Sequence, residues 1–247
     1  MVTLLPHALD FNAAFRAFDA DHRPPLKWQT RLYERLVCGG RGDIPGVCRL
    51  PTGLGKTSII PIWLIALACG AHLPRRLVYI VNRRTVVDQA TDDAKRLLAR
   101  LYRSGQRDKL EWATEEAIKK LGLESEPHLP NDDTDAAKSL RMTLRQMRTA
   151  LDALCTGDPA KCGDAVPLAV STLRGELADN GDWKKNPARP AIIIGTVDMI
   201  GSRLLFSGFG DGRYGRVHHA GLLGQDALVV HDEAHLEPAF DELLTGI

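Results

Sequence analysis

Nothing in this sequence offers a membrane-spanning helix, a disulfide framework or a bulk electrostatic grip on nucleic acid. The longest apolar run, Ile59 to Cys69, is too short to cross a bilayer and suits a buried helix. The five cysteines (Cys38, Cys48, Cys69, Cys155, Cys162) are odd in number and lack paired C-x-x-C spacing. That argues against a zinc site and for free thiols in a reducing compartment. With 32 basic against 31 acidic residues the formal net charge is +1, so any basic surface has to be local. Met1 to Pro6 holds no basic region followed by an apolar core. No signal peptide is read there, and a cytoplasmic location without a membrane partner is expected. Internal repeats and low-complexity tracts are also missing. What is present is an ordinary globular composition, 44% hydrophobic, with enough apolar material for a real core. At 247 residues the chain can form one large α/β domain or two small ones.

The most informative stretch is Leu50-Pro51-Thr52-Gly53-Leu54-Gly55-Lys56-Thr57. Gly46 to Leu50 before it reads as a short buried strand, and Ser58 to Cys69 after it as an apolar helix. Strand, glycine-rich turn and helix is the context a phosphate-binding loop requires. Gly53 and Gly55 allow successive N–H groups to converge on one anion, and the following helix directs its positive dipole end to the same spot. Thr52, Gly53, Leu54, Gly55, Lys56, Thr57 and Ser58 are therefore candidate ATP-binding residues. Lys56 would reach the β- and γ-phosphates, and the Thr57 hydroxyl would join the magnesium shell. Leu50 departs from the general pattern, which has glycine there. Pro61 has no N–H for the Thr57 carbonyl, so a kinked or loosened turn is expected behind the loop.

Along the rest of the chain, Leu9 to Phe18 has helical spacing, and Arg23-Pro24-Pro25 ends it. Residues 1–25 are expected to form an N-terminal helical segment. A helix follows to about Val37 and carries Gln29, whose amide can both donate to and accept from the N7/N6 edge of adenine. Leu77 to Val81 reads as a buried strand, followed by Asn82-Arg83-Arg84-Thr85 and a helix from Val86 to Leu101. Residues from about 104 to 160 are expected to be a helical insertion, with a helix capped by Asp133 or Thr134 and a packing stripe of Leu140, Leu144, Met147 and Leu151. Ala165 to Val170 is a further candidate strand, with Ser171 to Glu176 in the connection after it. Ala191 to Ile194 is a strand ending in Gly195-Thr196-Val197-Asp198. Phe206 to Gly215 reads as a glycine-rich loop. Ala227 to Val230 runs directly into His231-Asp232-Glu233-Ala234-His235. Strands that repeatedly end in polar loops and feed helices imply a mostly parallel, doubly wound α/β sheet.

An acidic pair at a strand end is common, but with the phosphate loop it acquires a role. Asp232 would hold magnesium, Glu233 would position or deprotonate the attacking water, and His235 could couple nucleotide to nucleic acid. Lys56, Asp232, Glu233 and His235 are the candidate catalytic residues; Thr57 and Asp232 are the candidate metal ligands. Arginines where strands turn into helices lie at the carboxyl edge of a parallel sheet, where open α/β folds bind ligands.

Thr-Gly-Leu-Gly-Lys-Thr together with Asp-Glu-Ala-His resembles the first RecA-like domain of a superfamily 2 helicase. The resemblance implies a RecA-like P-loop fold over residues 26–247, ATP and Mg2+ as cofactors, and adenine contact by Gln29. Arg83, Arg84 and Thr85 resemble motif Ia; Ser171 to Gly175 and Gly195 to Asp198 resemble the Ib-type segments. By that resemblance Arg83, Arg84, Arg174, Gly175, Thr196 and Asp198 are nucleic-acid-binding candidates. Pro61 to Leu64, Val81 to Gln89, Gly195 to Asp198 and His219 to Gly224 also look like the CRISPR-associated helicase–nuclease of type I systems, nearest to its subtype U form. That implies 3′-to-5′ translocation on single-stranded DNA and a CRISPR surveillance complex as partner. A second RecA-like domain and an HD nuclease are implied too, both expected outside this chain. Restriction-type translocases, RNA helicases and a non-hydrolysing nucleotide- and DNA-binding scaffold remain open alternatives.

Overall fold

Helix-period stripes and β-branched runs alternate along this chain, and its architecture follows them. A computed structural model describes residues 9–19, 21–51, 53–104, 119, 134–155, 167–174, 181–208 and 212–246. Thr52, Gly175 and Cys162, the first part of the expected insertion, and residues 165 and 166 of the expected third strand lie outside the described residues. The chain packs as two units, 1–73 with 95–154 and 74–94 with 155–247.

The first unit is helical. Helix α1 (Phe11–Phe18) starts at Asp10, whose carboxylate accepts the Asn12 N–H, a side-chain cap of the favoured kind. Helix α2 (Lys27–Gly39) follows the Arg23-Pro24-Pro25 break. Helix α3 (Ile59–Ala68) is apolar all round, and Ile62 to Ile65 are fully buried. Pro61 is tolerated as its third residue because first-turn N–H groups have no intrahelical partner. The expected loosened turn is a 3-10 turn over Lys56–Ser58. Helix α4 (Arg84–Arg103) contributes its second half to this unit, where the Arg100 guanidinium donates to the Ala17 and Asp19 carbonyls. Helix α5 (Asp135–Leu154) begins at Thr134, which accepts the Ala137 N–H, and it packs on α1 and α3. Leu144, Met147 and Leu151 of the expected stripe are fully buried. Because α1 packs with α3 and α5, residues on both sides of position 25 share one core.

The second unit is built on four strands, β1 (Arg76–Val81), β2 (Ala169–Leu173), β3 (Ala191–Thr196) and β4 (Ala227–His231), in the order β2-β3-β1-β4. All three pairings are parallel. Short helices α6 (Asp182–Lys185), α7 (Val197–Leu204) and α8 (Arg213–Gly224) lie between strands, and α9 (Pro238–Thr245) follows β4. Val78, Ile80 and Ile193 face one core with Trp183, Ile200, Leu222 and Phe240. Alternation places Tyr79 and Thr172 on the opposite face. There Thr172 meets Thr91 of α4 at 3.0 Å. Helices therefore cover both faces, as the near-continuous apolar strands require.

Three expectations are corrected. Gly46 to Leu50 forms no strand: the segment has a bend at Gly46 and no regular structure after it, and Val47 is 72% exposed. Pro45 and Pro51 flank only five residues, and neither proline can donate to a ladder. The strand expected at Ala165–Val170 runs instead over Ala169–Leu173, so Ser171 and Thr172 are sheet residues. Residues of the Phe206–Gly215 loop from Arg213 onward belong to α8, which also holds His218 and His219. His219 is buried with its ring 5.4 Å from that of Trp183. No helix among the described residues is long and apolar enough to cross a membrane. Cys38, Cys48 and Cys69 are free thiols.

Candidate functional site

In the helical unit the phosphate-loop candidate is shaped by its glycines. Gly53 has φ 84° and Gly55 has φ 67°, ψ 49°. Both lie in the left-handed region, where a side chain is strained. A Cβ on Gly53 would meet nothing, and one on Gly55 only the Gln29 amide nitrogen at 3.8 Å. Glycine is therefore demanded here by backbone rotation and not by lack of space. The turn then closes on Ser58, whose N–H donates to the Gly55 carbonyl at 3.0 Å and whose hydroxyl donates to the same oxygen at 2.6 Å. Lys56 and Thr57 are half-buried, and Leu54 is exposed. Neither Lys56 nor Thr57 has a side-chain hydrogen bond or ion pair among the described residues.

Gln29 is the unexpected part of this turn. It is 5% exposed; its Oε1 accepts the Leu26 N–H at 2.6 Å and its Nε2 donates to the Ser58 hydroxyl at 2.8 Å. The first bond caps α2, and the second ties α2 to the loop. One N–H and one lone pair of the amide remain, so an adenine contact would have to use those or displace Leu26 or Ser58.

The sheet unit gathers the other candidates. Because the strands are parallel and in register (Leu173 with Gly195, Val81 with Thr196, Ile80 with both Gly195 and His231), all four end at one level. Arg83, Arg84, Arg174, Thr196, Asp198, Asp232 and Glu233 are thereby brought to a single carboxyl edge. Arg83 and Arg84 are exposed. Arg174 is ion-paired to Asp88 of α4, so its charge is already partnered within the protein. Thr196 precedes the first residue of α7, and Asp198 is exposed in the first turn.

At the end of β4, His231 and Asp232 are held from opposite faces of the sheet. The Asp232 N–H donates to the Ile80 carbonyl at 2.9 Å, extending the β1–β4 ladder by one residue. On one face the Tyr79 hydroxyl donates to Asp232 Oδ2 at 2.8 Å. Burial, followed by the Asp232 charge, pushes the Tyr79 phenol far above its ordinary value, so it stays a donor. On the other face His231 Nε2 lies 3.4 Å from Asn82 Oδ1, and its ring meets Phe240 edge-on at 5.2 Å. Burial lowers the His231 pKa, favouring the neutral ring, against the pull of Asp241, Glu237 and Asp232. Glu233 then adopts φ 56°, ψ 39°, a left-handed conformation that is costly for a side-chain-bearing residue. His235 is exposed in the 3-10 turn Ala234–Leu236.

No group of three or more His, Cys, Asp or Glu side chains is placed to share a metal among the described residues. Magnesium does not require one, since it is commonly held by one or two carboxylates together with substrate phosphates and water. Asp232, with one oxygen bonded to Tyr79 and Oδ1 without a partner among the described residues, fits that use. No family model, curated protein or solved structure matches this chain.

Reading motifs alone missed Tyr79, Asn82 and Asp88. Tyr79 looked like strand filling. The available signal was a phenol two residues from the carboxyl end of an otherwise aliphatic strand, since a buried hydroxyl needs a partner.

Proposed function

We propose that this chain is the ATP-binding half of a superfamily 2 helicase or translocase motor with a RecA-like fold. The observation that carries the reading is the loop Gly53–Lys56, where both glycines adopt the left-handed backbone a phosphate cradle uses and lead through a 3-10 turn into α3. In this reading the loop N–H groups and Lys56 take the phosphates. By the motif resemblance, Thr57 and Asp232 would each supply an oxygen donor for Mg2+ and Glu233 would orient the attacking water. The exposed Arg83 and Arg84, with Thr196 and Asp198, lie along a single-stranded nucleic-acid path. Their contacts would be to the backbone and independent of sequence. The narrower assignment, to the CRISPR-associated helicase–nuclease of type I systems, is supported by the sequence segments around Val81–Gln89 and His219–Gly224.

Nucleotide binding to the purified chain tests this directly. A fluorescent ATP analogue should bind in a Mg2+-dependent way, while steady-state hydrolysis stays negligible. The arginine-bearing partner domain that this reading implies is worth roughly 10³ to 10⁵ in rate. Absence of any Mg2+-dependent nucleotide binding would sink the proposal. Brisk DNA-stimulated hydrolysis by this chain alone would refute the assignment to half a motor.

A further inference from the structure

We propose that Tyr79 is a positioning residue for Asp232, fixing one carboxylate oxygen so that the other is presented to a divalent cation. This rests on the reading of Asp232 as a metal ligand. Three observations in the sheet unit support it. Tyr79 is 1% exposed, so its hydroxyl has no water to fall back on, and its 2.8 Å bond to Asp232 Oδ2 is the only one its side chain makes among the described residues. Asp232 itself is half-exposed at the open end of the sheet. A carboxylate in that position keeps water as a substitute donor, so the Tyr79 bond sets its orientation more than it relieves its burial. The adjoining backbone is fixed as well: the Asp232 N–H is in the ladder, and the residue after it is held left-handed. Peptide and carboxylate are thus both immobilised before any ligand arrives, as cation sites held by few protein oxygens require.

A buried tyrosine satisfying its own hydroxyl would show the same bond, so the test must separate orientation from stability. The probe is Mn2+, titrated against the full chain with a fluorescent ATP analogue, alongside the same binding measured in EDTA. Tyr79→Phe keeps the ring and its packing. It should weaken the metal-dependent part of nucleotide affinity roughly three- to tenfold, the size of one hydrogen bond, and leave the EDTA value unchanged. Tyr33→Phe is the matched control, the same chemical change at a half-buried hydroxyl that donates to Cys69 Sγ at 3.2 Å. It should move neither value. If Tyr79→Phe shifts the Mn2+ dependence no more than Tyr33→Phe does, the positioning role is refuted. Asp232→Asn isolates the underlying reading. It should abolish the metal-dependent gain, and a full gain retained there would overturn the Asp232 assignment itself, whatever Tyr79→Phe shows.

Discussion

The turn at Gly53–Ser58 is defined by its backbone, whereas the turn at His231–Glu233 is defined by its side chains. In the first, two glycines at positive φ set the curl, and the functional side chains Lys56 and Thr57 touch no polar partner among the described residues. In the second, Tyr79 and Asn82 hold two successive residues from opposite faces of the sheet. The difference follows from what each turn would bind. A phosphate is recognised by N–H groups whose direction is fixed by φ and ψ, so the backbone must be shaped and the lysine can remain loose. A cation is recognised by a carboxylate oxygen, whose direction depends on side-chain torsions that need a neighbour to hold them. Residues that wait for a ligand should cost little stability when removed; those that hold others should cost more.

The largest test of this contrast is Lys56→Ala. An ammonium contacting phosphate directly contributes about 2 to 3 kcal/mol. Nucleotide affinity should therefore fall roughly thirtyfold to more than a hundredfold, while the thermal midpoint stays within about a degree, because Lys56 has no side-chain partner to lose among the described residues. A large drop in melting temperature would mean that the loop is structural and not poised for a ligand.

Gln29→Ala probes the exception, a side chain in the loop region that does hold others. It removes the Leu26 cap and the Ser58 contact from a buried site, at a cost of about 2 kcal/mol, measurable by denaturant titration. Comparing ATP with GTP then separates two roles. Equal weakening of both nucleotides assigns Gln29 to loop support, and selective loss of ATP binding assigns it to adenine.

The ease of reading this chain divides along the same line. Apolar strands such as Leu77–Val81 and Ala191–Ile194 announce themselves because parallel strands are buried on both faces. The phosphate loop and Asp232-Glu233 are legible because their chemistry demands fixed residue types at fixed spacing. Polar residues used inside the fold were not legible. Ser171 is buried, accepting the Trp183 N–H, and Thr172 bonds Thr91, so a polar pair that resembles a loop is the middle of β2. Gly46 to Leu50 shows the opposite failure: an apolar pattern promises a strand, but a strand exists only where the chain supplies a partner. Arg174 looks free in sequence because Asp88, its partner, is 86 residues away.

Glu233→Asn is a smaller perturbation. Asparagine tolerates the left-handed region better than glutamate, so the substitution should stabilise the protein by up to about 1 kcal/mol. A rise in denaturant midpoint with unchanged slope would show that the acid end carries strain the phosphate loop avoids through glycine. Loss of stability would mean that the Glu233 side chain holds its own turn.

Asp152 of α5 gives the smallest effect and the cleanest control, because it is a half-buried carboxylate with no donor comparable to Tyr79 among the described residues. The Arg148 guanidinium is 3.9 Å away and already donates to the Tyr102 carbonyl. It also stands in the last turn of its helix, where the dipole disfavours negative charge. Burial raises its pKa above the usual 3.8, with Arg148 only partly opposing. A raised folded-state value means that the folded protein binds this proton more tightly than the unfolded chain does. The group therefore favours folding at low pH and loses that contribution as pH rises through its folded-state value. At pH 7 the charge opposes folding, and Asp152→Asn should stabilise by about 0.5 kcal/mol, a modest figure because the side chain is 44% exposed and screened by water. Melting curves from pH 7 downward should show the two proteins converging as wild-type Asp152 takes up its proton. A constant gap would assign the gain to helix propensity, and a reversed one would mean that the Arg148 pair stabilises the fold after all.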